Sequence, residues 1–144
     1  MIVFTNGCFD VLHRGHVEYL EKSRALGSKL IVGLNSDASV SKLKPGRPIN
    51  TQDDRRAVLL ALRSVDEVII FNELTPLELI QRISPDIITK GGDYTPEQVV
   101  GARIAQRTII IPFLDGYSST RIINATQGHD RQRVGFGANL GYQR

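Results

Sequence analysis

Five short runs rich in valine and isoleucine, each followed by a helical pattern, restrict this chain to few folds. The runs fall at residues 2–5, 30–34, 67–71, 86–89 and 108–111. None has the clean polar alternation of a half-exposed strand, which predicts strands buried on both faces of a parallel sheet. The helical patterns carry their own punctuation. The first spans about residues 15–26, with Val17, Leu20, Ser23, Arg24 and Gly27 spaced by three or four and Gly27 as its stop. The second opens in "NTQDDRRAVLLAL", where Asn50 or Thr51 caps and acidic residues fill the first turn. The third opens at "TPLE", with Thr75 as cap, Pro76 at the first helical position and Glu78 closing a capping box. The fourth repeats that device in "TPEQ" from Thr95, and a last short helix is expected from Ser118 to about Thr126. This alternation implies right-handed crossovers and an α/β chain: a Rossmann-like open parallel five-stranded sheet with helices on both faces.

Ligands of such sheets bind outside the carboxyl ends of the strands, at a switch point. That rule selects residues 6–16, 35–50, 90–94 and 112–120. The 144 residues, 41% hydrophobic and 23% charged, suffice for one packed domain, expected over residues 1–126. No apolar run approaches the roughly 18 residues of a membrane span, so no membrane partner is expected. The opening "MIVFT" enters a strand at once, without a basic region or cleavage pattern. A single cysteine, Cys8, fits a reducing compartment. The expected location is cytoplasmic. The net charge of +3 is small, and Lys42, Lys44 and Arg47 form the one close basic group before the C-terminus. That pattern suits a small anionic ligand, not a nucleic acid, which calls for a longer stripe with aromatic residues between. From Gln127 the apolar period fails, and residues 127–144 read as a polar, glycine-rich tail. Its "GFGANLG" imitates a dinucleotide fingerprint but lacks room for the strand and helix that motif needs.

Two of the three histidines, His13 and His16, stand where the first strand gives way to the first helix. With the helix starting near Gly15, His16 lies in its first turn and His13 in the loop before it. Both imidazoles then project towards one point above the strand end. Gly15 lets a ligand come close, and the helix start offers free N–H groups and partial positive charge. Such a set stabilises negative charge developing on a phosphate. A metal pair is the weaker reading, since Cys8 is the nearest further ligand and His129 lies in the tail. Asn6, Gly7, Cys8 and Phe9 follow the same strand end and are assigned to the nucleotide, Cys8 as a small residue without a base partner. Lys42 and Lys44, in a polar loop after the second strand, are placed on the triphosphate, or else belong to a solvated basic loop. Ser118, Ser119 and Thr120 can cap the last helix and touch phosphate with the same groups. Asp10 either fixes its turn or faces the acceptor or Mg²⁺. In "KGGDY", Lys90, Gly91, Asp93 and Tyr94 combine charge, close backbone approach and an aromatic ring at a strand end. Asp37 and Asp66 are expected to serve turns or strand edges.

"GCFDVLHRGHVEYL" contains the HxGH motif, and "GYSSTRII" resembles the second signature, of the nucleotidyltransferase superfamily. The two motifs each sit at a strand-to-helix junction, and the resemblance runs from Ile2 to about Asn124. Within the superfamily, "TNGCFD", "LNSDAS", "GRPIN" and "KGGDY" resemble the adenylyltransferase domain of the bifunctional heptose-phosphate synthesis proteins of lipopolysaccharide biosynthesis. Their sugar kinase domain has no counterpart here, so a stand-alone transferase is expected. The resemblance implies transfer of a nucleoside monophosphate from ATP, carried with Mg²⁺, to D-glycero-β-D-manno-heptose 1-phosphate, by a homodimer. It places Arg55 near the ligand. Arg63 in "LRSVDEV" resembles glycerol-3-phosphate cytidylyltransferase, which uses CTP, but "FLDG" stands where that enzyme has its arginine-threonine-glutamate-glycine signature. A catalytically idle nucleotide-binding module on the same fold is the alternative of another class.

Overall fold

The computed structural model describes residues 1–132 except Asp93, with residues 127–132 described as backbone alone. Five parallel strands are present: β1 Ile2–Gly7, β2 Lys29–Asn35, β3 Glu67–Phe71, β4 Ile87–Gly91 and β5 Arg107–Ile111. They lie in the order β3-β2-β1-β4-β5. Strands are added outward from β1 to β3, and the chain then returns to β1's other edge for β4. The crevice between the carboxyl ends of β1 and β4 is therefore the switch point.

Side-chain alternation along the strands feeds two cores. Val3, Leu30, Val32, Leu34 and Ile87 pack on one face with Leu20 and Leu59. Phe4, Ile31 and Ile88 pack on the other with Leu79 and Ile80. The helices are α1 Arg14–Arg24, α2 Asp37–Leu43, α3 Gln52–Leu60, α4 Leu77–Ile83 and α5 Ser119–Gln132. Leu20 of α1 and Leu59 of α3 cover the first face, Leu79 and Ile80 of α4 the second, which gives three layers. Two carboxylates fasten the amino-terminal edge of the sheet: Asp86 accepts the Ile2 N–H and Asp66 the Leu30 N–H, each at 2.7 Å.

Several local expectations differ from what is observed. α1 ends at Arg24. Thr75 does not cap α4; Pro76 holds the cap position without a side-chain bond, and Glu78 closes no box. "TPEQ" forms its capping box, yet only a 3-10 turn, Pro96–Gln98, follows. The chain must turn at Gly101, whose φ of +86° and close contact with Ile80 and Ile88 leave no place for a continuing helix. The loop expected after β2 is instead α2, capped by Ser36 on the Ser39 N–H. It buries a single hydrophobic side chain, Val40, and so has no apolar period to announce it. α5 runs past Thr126 to Gln132, into the segment read as tail; "GFGANLG" lies outside the described residues.

Candidate active site

A pocket of about 440 Å³ opens at the switch point. Tyr19 in its lining joins a buried hydroxyl network across the β1–β4 seam. Tyr19 Oη lies 2.6 Å from Thr5 Oγ1 and donates to Thr89 Oγ1 at 3.2 Å, and Ser23 Oγ sits 2.9 Å from the same Thr89 oxygen. Thr5, Ser23 and Thr89 are fully buried, so each hydroxyl needs these partners. Burial pushes the Tyr19 phenol above its ordinary range, against the hydrogen bonds from Thr5, Thr89 and Ser23.

His13 and His16 line the pocket, and together they cap α1. The Gly15 N–H donates to His13 Nδ1 at 3.1 Å, and the His13 N–H donates to His16 Nδ1 at 3.3 Å. This is a capping box built from two imidazoles in place of the usual hydroxyl and carboxylate. Because each Nδ1 accepts, the proton of each neutral ring belongs on Nε2, turned away from the helix backbone. Burial lowers the His13 pKa, and burial, followed by the charges of His13 and Lys44, brings His16 down to about 4. Both rings are neutral donors at pH 7. They stack at 4.0 Å between centroids; Tyr117 stacks beyond His13 at 6.1 Å, and Phe9 meets His16 edge-on at 5.4 Å. Phe9 achieves this with φ of +47°, a strained conformation for a bulky residue and one that clusters at functional sites. A Cβ on Gly15 would lie 2.9 Å from His13 Nδ1, which is why glycine separates the pair.

Around this column the structure gathers most of the sequence-selected residues: Asn6, Gly7, Cys8, Phe9 and Asp10 from the end of β1, Lys90 and Gly91 at the end of β4 with Tyr94 beyond it, and Ser118, Ser119 and Thr120 at the start of α5. Lys90 lies 5.3 Å from the Tyr94 ring centroid. Burial lowers its pKa; among nearby charges Cys8 raises it and Lys44 lowers it. Ser118, not Ser119 or Thr120, caps α5 by accepting the Arg121 N–H at 3.0 Å. Ser119 gives its hydroxyl to the Val11 carbonyl, tying α5 to the loop that carries His13. Lys44, at the C-terminal end of α2, lines the pocket.

Three selected residues are not brought there. Lys42 is exposed in the last turn of α2. Arg63 pairs with Glu21 at 2.8 Å, its side chain 88% exposed. Arg55 is fully buried beneath the site, donating to the carbonyls of Asn50, Cys8 and Asn35 and to Asp37 at 2.8–3.0 Å. Asp93 lies outside the described residues. Asp10 lines the pocket, but both its carboxylate oxygens serve the protein: Oδ2 takes Arg47 Nε and the Ile49 N–H, Oδ1 the Asn50 N–H. Burial raises its pKa, but the hydrogen bonds from Asn50, Ile49 and Arg47 outweigh it and hold the carboxyl below its ordinary range.

Sequence reasoning did not single out Glu18, Tyr19 and Lys22, nor Phe113 and Tyr117, and marked Arg47 only as one of a basic group. The first three follow Gly15 at three, four and seven residues, one stripe of α1, so the helical period marks them. Among the described residues, no group of three His, Cys, Asp or Glu side chains could hold a metal ion. The pocket lining holds four cations, Lys22, Lys44, Arg47 and Lys90, against two carboxylates, Asp10 and Glu18, of which Asp10 is paired with Arg47. The β5–α5 side is apolar, with Ile111, Pro112, Phe113 and Leu114. A positive wall, an apolar wall and a helix start with two neutral donors between them suit a nucleotide.

The sequence profile of the cytidylyltransferase-like family matches residues 4–125. The chain belongs to the cytidylyltransferase-like family. It is a nucleotidyltransferase by that membership. It is 55% identical over 128 residues, 88% of this chain, to the bifunctional protein HldE of Wolinella succinogenes, and 57% identical over 123 residues to that of Campylobacter concisus. It spans about a quarter of the length of these relatives, 27% and 26%. The crystal structure of a lipopolysaccharide core biosynthesis protein from Thermoplasma volcanium superposes with a TM-score of 0.69 at 30% identity, covering 80% of this chain and 98% of that one. Pantothenate synthetase from Thermus thermophilus shares the fold alone, at 15% identity and a TM-score of 0.59 over 90% of this chain and 64% of its own. No helix among the described residues is long and apolar enough to cross a membrane.

Proposed function

We propose that this cytidylyltransferase-like chain transfers adenylate from MgATP to a sugar phosphate, D-glycero-β-D-manno-heptose 1-phosphate, and releases pyrophosphate. The observation that carries the reading is the imidazole capping box, which holds two Nε2–H donors at the mouth of the switch-point crevice. An oxygen of the acceptor's phosphate attacks the α-phosphorus; a new P–O bond forms as the bond to the pyrophosphate oxygen breaks. That nucleophile is already anionic, so the site needs no strong base. It needs placement and donors aimed where charge accumulates. Neutral imidazoles supply such donors without the cost of an imidazolium near Lys44. The apolar β5–α5 wall takes the base, and the cationic wall takes phosphate. Magnesium would enter with the nucleotide as MgATP and would offset the charge of its phosphates; Asp10 serves its own loop. The heptose phosphate rests on the resemblance of "LNSDAS", "GRPIN" and "KGGDY" to the heptose-phosphate adenylyltransferase domain, and the identity to the HldE proteins supports it. A homodimer working in the cytoplasm is the assembly and location proposed with it.

The test is pyrophosphate release with Mg²⁺, crossing ATP, CTP and GTP with heptose 1-phosphate and glycerol 3-phosphate. Turnover is expected with ATP and the heptose phosphate alone. Turnover with CTP and glycerol 3-phosphate would overturn the substrate, and nucleotide binding without any turnover would leave only a binding module.

A further inference from the structure

The segment between α2 and α3 is held against the β1–α1 loop by one residue. Asp10, whose side chain is 0% exposed, collects Arg47 Nε at 2.9 Å, the Ile49 N–H at 2.7 Å and the Asn50 N–H at 2.9 Å. Asn50 returns a bond from Nδ2 to the Asp10 carbonyl at 2.7 Å. Arg55 continues the clamp, joining the Asn50 carbonyl to that of Cys8. Arg47 is thus fixed at the pocket wall, with its side chain 12% exposed.

The nitrogen that Asp10 grips is Nε. Among the described residues, the terminal Nη1 and Nη2 donate to no protein acceptor, and their edge of the guanidinium is the fork that matches two oxygens of a phosphate. The ion pair also leaves the cation underpaid, because Asp10 divides its charge between Arg47 and two backbone N–H groups. A largely desolvated guanidinium with an open fork calls for a second anion. Lys44 stands in the same wall and depresses His16 and Lys90 by its charge, so this wall faces the histidines. The apolar wall of Ile111, Pro112 and Phe113 closes the other side. With the base there and the α-phosphate at the imidazoles, a further phosphate belongs at Arg47 and Lys44.

Resting on the nucleotidyl-transfer reading, we propose that Arg47 binds a phosphate group of a reacting partner through Nη1 and Nη2, and that Asp10 is the positioning residue that aims it. In-line displacement puts acceptor phosphate and leaving pyrophosphate on opposite sides of the α-phosphorus, and either can supply that group. Steady-state kinetics separate the two. Arg47→Ala is expected to raise one KM about 10- to 100-fold, as the loss of charged hydrogen bonds implies, with the other KM within twofold and the protein still folded, its Tm lowered by loss of the Asp10 pair. A rise for the sugar phosphate assigns the acceptor; a rise for ATP, with equal weakening of inorganic pyrophosphate in calorimetry, assigns the leaving group. Arg47→Lys keeps charge without the fork and is expected to recover only part of the loss. Asp10→Asn is expected to raise the same KM, with no further rise when combined with Arg47→Ala; independent, multiplying effects would remove its positioning role. Should Asp10→Asn not fold, the Arg47 variants carry the test. Unchanged values of both KM and of pyrophosphate affinity in Arg47→Ala would overturn the proposal. If the wild type turns over no substrate pair, the transferase reading fails by itself, and calorimetry with inorganic phosphate and pyrophosphate on wild type and Arg47→Ala still decides the role of Arg47.

Discussion

His16 carries two tasks that a pair of substitutions can separate. Its Nδ1 accepts the His13 N–H as part of the α1 cap, and its Nε2–H faces the pocket. His16→Ala removes both. Loss of the cap costs about 1 kcal/mol of stability, a modest part of the 5–15 kcal/mol typical of a domain. Loss of a donor to developing negative charge costs about 10²–10³ in kcat. His16→Gln restores the cap alone, because glutamine is the ordinary residue at the third position of a capping box. The expected result is a Tm for His16→Gln close to wild type and above that of His16→Ala, with kcat depressed in both and most in alanine. Pyrophosphate release at saturating substrates reads the rate, and thermal unfolding reads the cap. If His16→Ala keeps more than a tenth of the wild-type kcat while folded, the imidazole is not aimed at the transition state and the site assignment falls. If both variants lose stability equally, the capping role is wrong.

The neutral state of His16 also sets a pH dependence of stability. Its folded pKa of about 4 lies below the unfolded value near 6.5, so the unfolded chain binds the extra proton. The associated stability is present above pH 6.5 and is lost as pH falls from there towards 4, by up to about 3 kcal/mol; urea unfolding at pH 7.5 and 4.5 should show His16→Gln losing less than wild type. Arg55→Met leaves the carbonyls of Cys8, Asn35 and Asn50 and the Asp37 carboxylate without their donor, at a cost of about 3–5 kcal/mol. A change below about 1 kcal/mol in denaturant unfolding would show that the clamp is redundant. Gly92→Ala drives a Cβ into the Phe113 ring at a φ of +94°. The exposed Phe113 ring must swing away from the apolar wall, so KM for ATP should rise several-fold at a stability cost of about 1–3 kcal/mol; an unchanged KM would free that wall of any role in holding the base.

What the sequence made legible follows from the range of the interactions involved. The strands were readable because burial on both faces writes itself into consecutive residues, and β3 matches its expected run from Glu67 to Phe71. His13 and His16 were readable because one strand-to-helix junction places them, three residues apart. α2 was not, since a seven-residue helix with only Val40 as its buried hydrophobic side chain has no pattern to display. The 3-10 turn at Pro96–Gln98 was misjudged for the opposite reason. Its capping signal is local and correct, but Gly101 is pinned by Ile80 and Ile88 from elsewhere in the chain, and the distant contact wins.

The same difference in range explains why the basic cluster was seen but its members were not told apart. Lys42, Lys44 and Arg47 are neighbours in sequence, and composition alone treats them as one patch. The fold separates them by what reaches across from residue 10: Asp10 draws Arg47 inward through a bond spanning 37 residues, Lys44 ends α2 at the pocket edge, and Lys42 turns away on an exposed helix face. Arg55 shows the converse. Its position near the ligand was inferred from resemblance, but its donors are consumed by three carbonyls and a carboxylate that come together only when β1, β2 and α3 have packed. A cation's role at such a site is set by which of its donors the protein has already taken. On that measure Arg47, with one nitrogen held and two open among the described residues, is better placed to meet a phosphate than Arg55.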